Sequence, residues 1–265
     1  MRELGITSVF FKDPSAENWR KMREAGILNV EICYRDSFRM DEMIRTGDAA
    51  YYNAREAGMR PATAHLPFLQ PWDISSLNVA ERRQAIADQM KLIDHISELA
   101  IPLAVMHPSF EPIDPEERPE RLKRSADAIA QIGKHAAGLG VRLAVENLPR
   151  TCLGNTSEEI LFLTDHGRSC GVCMDVNHLL QESHEHFIRN AGAYMIHMNL
   201  SDYDFDDEKH WLPGTGGIDW KQLRALIDEA CYAGNYLIEI REGSAVPGRI
   251  TTPGDVAERM KQLSM

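Results

Sequence analysis

Three acidic residues stand where an ordinary core would have aliphatic side chains. Glu146 in LAVENLP, Asp175 in VCMDVNHLL and Glu239 in LIEIRE each interrupt an apolar run. Moving a carboxylate out of water costs on the order of several kcal/mol unless it is paired with a cation, bound to a metal or fully hydrogen-bonded. Arg150 and Arg241 are the nearest basic residues by sequence, too few to neutralise all three acids, whereas a divalent ion meets the requirement. The alternative is three hydrogen-bonded structural acids. Histidines follow the same placement: His65 (ATAHLPF), His107 (LAVMHPSF), His178, His197 (MIHMNLSD) and His210 (KHWLPGTGG) are five of the ten, and each closes an apolar run or lies in the loop after one. Taken singly, each is a packed or water-bonded side chain. Taken with the acids, the set has the donors for metal ligation and for proton transfer near neutral pH. The other five, His95, His135, His166, His184 and His186, fall on stretches of helical periodicity and are assigned no role.

The elements that would bring these residues together recur along the whole chain. A short apolar, β-branched run followed by a longer stretch of helical periodicity occurs eight times. The strands are predicted at 4–10, 28–34, 60–65, 101–107, 141–147, 171–176, 194–200 and 236–241, and the helices at 15–25, 41–57, 79–99, 116–138, 157–166, 178–191, 220–233 and 253–263. Ser15 and Asp219 read as N-caps, and Gly26, Gly58, Gly140 and Gly234 as the residues that turn a helix into the next strand. Eight such units in 265 residues, with no linker or low-complexity tract, predict one α/β domain over 1–265, a closed (β/α)₈ TIM barrel. In that fold the strands' C-terminal ends carry the chemistry, and those are the ends at which the acids and histidines gather.

Composition removes several other classes. With 29 Lys+Arg against 40 Asp+Glu, the net charge of −11 argues against a broad nucleic-acid surface. No run approaches 18 apolar residues and the amino terminus lacks a basic leader before an apolar stretch, so a cytoplasmic protein without membrane attachment is expected. The first strand is followed by Phe11-Lys12-Asp13-Pro14 instead of a glycine-rich nucleotide loop, and Gly214-Thr215-Gly216-Gly217 comes too late to serve as one. Five scattered cysteines, including the single pair Cys170 and Cys173, suit reduced structural thiols.

In order and spacing the chain resembles the xylose-isomerase-like barrel superfamily, which includes sugar-phosphate isomerases and epimerases, ketose 3-epimerases and an apurinic endonuclease branch. The resemblance runs from the first strand to the last helix. It rests on Glu146-Asn147, Asp175-x-x-His178, Leu200-Ser201-Asp202, His210-x-x-Pro213-Gly214-x-Gly216-x-Ile218-Asp219-Trp220, and Glu239. It implies one divalent metal held by Glu146, Asp175, a residue of the seventh strand and Glu239. There the sequence departs from the H-x-H-L-S-D wording: His197 keeps the first histidine position, while Asn199 stands at the ligand position. Both face the same way on a strand. Register points to Asn199 and ligand chemistry to His197.

The resulting expectation is a divalent-metal-dependent isomerase or epimerase of a small sugar or hydroxy-carbonyl compound. Mn²⁺ or Mg²⁺ is the expected ion, with Zn²⁺ or Co²⁺ as alternatives, and it would stabilise the enediolate while Glu146 and Glu239 move the proton. His65, His107, His178 and His210 would bind substrate, Trp72 and Trp211 would form an apolar lid, and Glu31 would either touch substrate at the rim or make a structural hydrogen bond. A homo-oligomer is compatible with this reading. The rival reading is a zinc-dependent apurinic-site phosphodiesterase, disfavoured by the charge and by the acidic loop 203–209. A non-catalytic sugar-binding barrel is the third.

Overall fold

A computed structural model describes residues 2–35, 37–168, 170–263 and 265. Eight parallel strands close into a barrel in chain order: β1 (Leu4–Thr7), β2 (Asn29–Cys33), β3 (Arg60–His65), β4 (Leu103–Met106), β5 (Arg142–Glu146), β6 (Gly171–Asp175), β7 (Met195–Leu200) and β8 (Tyr236–Ile238). β8 pairs back onto β1 through Leu4↔Tyr236 and Ile6↔Ile238. The helices are α1 (Ala16–Glu24), α2 (Met40–Glu56), α3 (Val79–Glu98), α4 (Arg118–Gly138), α5 (Ser157–Leu163), α6 (His184–Ala191), α7 (Trp220–Glu229) and α8 (Pro253–Gln262). The predicted single (β/α)₈ barrel is therefore the fold, and no helix among the described residues is long and apolar enough to cross a membrane.

Alternation along the strands sorts the side chains. Ala104, Met106, Leu143, Val145, Val172, Met174, Met198 and Leu200 join the large core between strands and helices. Leu103, Val105, Ala144 and Cys173 form a separate small cluster, as the opposite faces of the same strands must. Continuing that inner register towards the strand ends carries Glu146, Asp175 and Asn199 onto the inner face, one period beyond the apolar cluster. The same rule brings Glu31 inward on β2. All five cysteines are free thiols.

Several local expectations are corrected. Ser15 makes no side-chain cap bond, whereas the Asp219 side chain accepts from Gln222 N at 3.0 Å. Gly26, Gly58 and Gly140 turn their helices at φ of 90°, 78° and 75°, but Gly234 has no such role. α7 stops at Glu229, and Cys231 takes the left-handed conformation at φ 55°. The helix predicted at 178–191 is two pieces. A 3₁₀ turn over Val176–His178 is capped by the Asp175 carboxylate, and α6 starts only after Ser183, whose hydroxyl caps His186 N. The break lets His178 face the barrel axis instead of a helix flank.

Candidate active site

Glu146 is the hub. Its carboxylate is 1% exposed, and its Oε2 lies 3.2 Å from His65 Nε2 and 3.1 Å from His107 Nε2. Oε1 accepts from Asn199 Nδ2 at 3.0 Å and is 3.7 Å from His178 Nδ1. Asn199 Nδ2 also donates to Glu239 Oε2 at 3.0 Å, so one amide joins the two glutamates. Ligand atoms of Glu146, Asp175 and Glu239 lie within 4.8 Å of one another. Two further groups of the same compactness share those acids: His65, His107 and Glu146 on one side, Asp175, His178 and His210 on the other.

The histidines are held by their Nδ1 atoms. His65 Nδ1 is 2.9 Å from Leu66 O, His178 Nδ1 is 2.9 Å from Asn147 O, and His210 Nδ1 is 3.1 Å from Glu239 O. A carbonyl can only accept, so each Nδ1 carries its hydrogen and Nε2 is left as the ring nitrogen with the variable role. This is the arrangement by which metal-binding histidines are oriented. Phe68 stacks on the His107 ring with centroids 4.3 Å apart. His210 reaches its place with a left-handed backbone at φ 49°, a strain that its surroundings must hold.

Charge is distributed unevenly. Burial pushes the His65 imidazole down, but hydrogen bonding to Glu146 and its charge outweigh this and raise it to about 9. Burial lowers the His107 imidazole, whose neighbour His65 adds to the effect. Burial opposes ionisation of Glu146, yet His107 and His65 hold its carboxyl well below the usual range. Asp175 goes the other way: burial, then the charge of Glu239, push its carboxyl well above the usual range. Its Oδ1 caps Asn177 N at 2.7 Å while its Oδ2 has no hydrogen-bond partner.

A cavity of about 170 Å³ opens on these groups, lined by His65, His107, Glu146, His178, His210 and Glu239 among others. His65, His107, Glu146, His178, His210 and Glu239 thus converge on it, Asp175 and Asn199 lie against its glutamates without lining it, and three further expectations depart from it. His197 does not line the cavity, and its Nε2 lies 3.4 Å from Glu31 Oε2 deeper in the barrel. Glu31 is accordingly buried at 0% exposure and is no rim residue. Trp72 and Trp211 form no lid, since Phe68, Phe110 and Leu148 supply the apolar wall and Trp211 instead pairs its backbone with Asp202.

Three residues contribute here in ways the sequence did not assign. Glu208 lines the cavity with Oε2 3.8 Å from His178 Nε2, although its loop read only as acidic. Arg150 ties the mouth together, its guanidinium reaching Glu111 at 2.5 Å, Asp207 at 2.8 Å and Glu208 at 3.0 Å. Asn147 braces β5 against β6 by donating to Asp175 O at 3.0 Å and accepting from Asp175 N at 2.8 Å. The Leu200-Ser201-Asp202 motif proves architectural. Asp202 accepts from Tyr203 N, Gly214 N, Ile218 N and Trp220 Nε1 at 2.7–3.2 Å, folding the loop that carries His210. A Cβ at Gly216 would collide with the Asp202 carboxylate and the Tyr203 backbone.

Known proteins place this architecture. An uncharacterised protein of Methanocaldococcus jannaschii is 25% identical over 186 residues, 66% of this chain and 62% of that protein, so the chain spans about three fifths of its curated relative. A D-tagatose 3-epimerase-like protein superposes with a TM-score of 0.81 at 20% identity, covering 100% of this chain and 97% of its own. D-psicose 3-epimerase from Clostridium cellulolyticum H10 gives 0.73 at 21% identity over 100% and 91%. At such identities the likeness establishes the fold. The profile of the family described as Xylose isomerase-like TIM barrel matches residues 19–263, which covers every strand after β1 and every residue of the site. The chain belongs to that family.

Proposed function

We propose that this chain is a divalent-metal-dependent isomerase or epimerase of a small sugar or related hydroxy-carbonyl compound. The observation that carries the reading is the pair Glu146 and Glu239, which line a cavity of about 170 Å³ and are joined by the amide of Asn199, with the carboxylate of Asp175 within 4.8 Å. The donor set fits a divalent ion. Three carboxylates within 4.8 Å of one another repel unless a cation lies among them, and Asp175 Oδ2, with His178 Nε2 at 3.5 Å but no hydrogen bond, supplies a further acceptor. Glu146, Asp175 and Glu239 would hold the ion. When bound it would act as a Lewis acid on the substrate carbonyl and spread the enediolate charge.

The protein's own groups do the rest. One glutamate removes the proton from the carbon beside the carbonyl and the other returns it. Glu146 suits the first task because His65 and His107 keep it ionised at neutral pH. His178 and His210, anchored through Nδ1, offer Nε2 to substrate hydroxyls or to the ion. Phe68, Phe110 and Leu148 limit water on the opposite wall. Solved relatives described as D-tagatose 3-epimerase-like and as D-psicose 3-epimerase support a ketose as substrate.

A zinc-dependent apurinic-site phosphodiesterase is the second reading, favoured by the two histidine-bearing groups that flank the central acids. The mouth opposes it: Arg150 is engaged by three carboxylates and Lys209 faces Asp204 at 3.8 Å, which leaves these cations committed within the protein. The test is ketose conversion by metal-loaded protein in D₂O, followed by deuterium incorporation, with an abasic oligonucleotide run in parallel. Glu146→Gln and Glu239→Gln should each lower conversion by about 10²–10⁴-fold. Full conversion by both variants, or cleavage of the oligonucleotide with no ketose turned over, would overturn the reading.

A further inference from the structure

The amide of Asn199 is fully buried, with Nδ2 donating at 3.0 Å to both Glu146 Oε1 and Glu239 Oε2, while Oδ1 has no partner. A buried acceptor without a donor is costly, and the opposite amide orientation would be worse, because Oδ1 would then lie about 3.0 Å from two carboxylate oxygens. A divalent ion among the acids reverses that balance. Turning the amide by half a revolution exchanges its oxygen and nitrogen at almost unchanged positions, with no backbone movement. His197, the other polar residue of β7 on this face, lies 3.4 Å from Glu31 and has no contact with Glu146 or Glu239 to match the two amide hydrogen bonds of Asn199.

We propose that Asn199 is a two-position ligand: its Nδ2 clamps Glu146 to Glu239 when no cation is bound, and its Oδ1 turns onto the cation when one is. The proposal rests on the central acids binding a divalent ion, and it does not depend on which substrate is turned over. It has a consequence for selectivity. Glu146, Asp175, Glu239 and Asn199 offer oxygen only, a donor set matched to Mg²⁺ or Mn²⁺, whereas the flanking groups His65/His107/Glu146 and Asp175/His178/His210 offer the nitrogen that Zn²⁺ favours. Asn199 thereby directs hard ions to the centre and leaves softer ones to the flanks.

The test uses the full chain stripped of metal, with Mn²⁺ and Zn²⁺ affinities measured by equilibrium dialysis for the wild type, Asn199→His and Asn199→Ala. Asn199→His should raise the Zn-over-Mn affinity ratio by about tenfold or more, and Asn199→Ala should weaken Mn²⁺ by about tenfold with a smaller effect on Zn²⁺. Independently of any variant, the side-chain NH₂ resonances of Asn199 in ¹⁵N-labelled protein should shift on Mg²⁺ saturation as both hydrogen bonds break. Resonances that stay in place at saturation would overturn the proposal, as would an unchanged affinity ratio in a folded Asn199→His. Should Asn199→His fail to fold, the Mg²⁺ titration of the wild type decides alone. Loss of ketose conversion with the amide shift and affinity ratio intact would sink the functional reading and leave this one standing.

Discussion

Glu146 and Asp175 close neighbouring strands, both buried, and their surroundings push them in opposite directions. On the β3–β5 wall Glu146 meets His65 and His107, and its carboxyl is held well below the usual range. On the β6–β8 wall Asp175 faces Glu239 with one oxygen unpartnered, and its carboxyl is driven well above it. The first wall is neutralised by residues of the protein itself. On the second, His178 Nε2 lies 3.5 Å from Asp175 Oδ2 without a hydrogen bond, and the carboxyl is left uncompensated. Under the proposed function, a base kept ionised on one side and a place for an ion on the other would divide the labour that proton transfer beside a carbonyl requires.

The comparison breaks most visibly at its hub. Glu146→Gln should destabilise the metal-free protein by about 3 kcal/mol, since it strands the buried His65 imidazolium and removes the carboxylate beside His107. The sign with pH follows from both partners: the depressed Glu146 contributes above the unperturbed 4.5 and the raised His65 contributes below the unperturbed 6.5, losing its share as pH rises through about 9. Urea denaturation should therefore show the largest penalty near pH 5–6 and a smaller one at pH 9; a penalty that grows with alkalinity would dissolve the contrast between the walls. Saturating Mn²⁺ should next raise stability by about 2.7 kcal/mol at a hundredfold excess over its dissociation constant. That gain should be greater at pH 8 than at pH 5, because the proton drawn onto Asp175 must leave before the ion binds. Thermal melts with and without chelator measure it.

Smaller effects sharpen the same picture. Asp175→Asn should stabilise the metal-free protein by about 1–2 kcal/mol at neutral pH, by replacing a carboxyl whose ionisation burial and Glu239 oppose with a neutral amide, and should abolish the Mn²⁺-dependent rise. Destabilisation in chelator would show that the 3.5 Å approach of His178 Nε2 to Asp175 Oδ2 outweighs the cost of burying that carboxyl. Smallest is Arg150→Ala at the mouth, where pairs with 28–48% exposed acids are solvent-screened. A loss of no more than about 1 kcal/mol is expected, shrinking in high salt.

Much of this was legible in the chain. The recurrence of apolar runs and amphipathic stretches places all eight strands and sets their order, because a period of two and a period near 3.6 are properties of local sequence. Glu146, Asp175 and Glu239 stood out because a carboxylate in an apolar run must be explained. Other features depended on neighbours the sequence does not display. Ser15 has the residue type of a cap without the bond, and Gly234 the type of a helix terminator while Cys231 takes that conformation. The break after His178 follows from its Nδ1 reaching Asn147 O, 31 residues away. Glu208 read as solvated acid until the β7–α7 loop folded over Asp202 and carried it to the cavity.

By itself the sequence determined, through alternation with the apolar residues beside them, that Glu31, Glu146, Asp175 and Asn199 would face inward. Tertiary structure decided depth and company. His65 and Glu146 are 81 residues apart and meet only because the barrel closes. His197 and Asn199 share a face but lie about 6.6 Å apart along the strand, and that rise separates a partner of Glu31 from a bridge between Glu146 and Glu239. Local pattern carries orientation around a strand; the level at which the strand meets its neighbours is set by the register of the closed sheet.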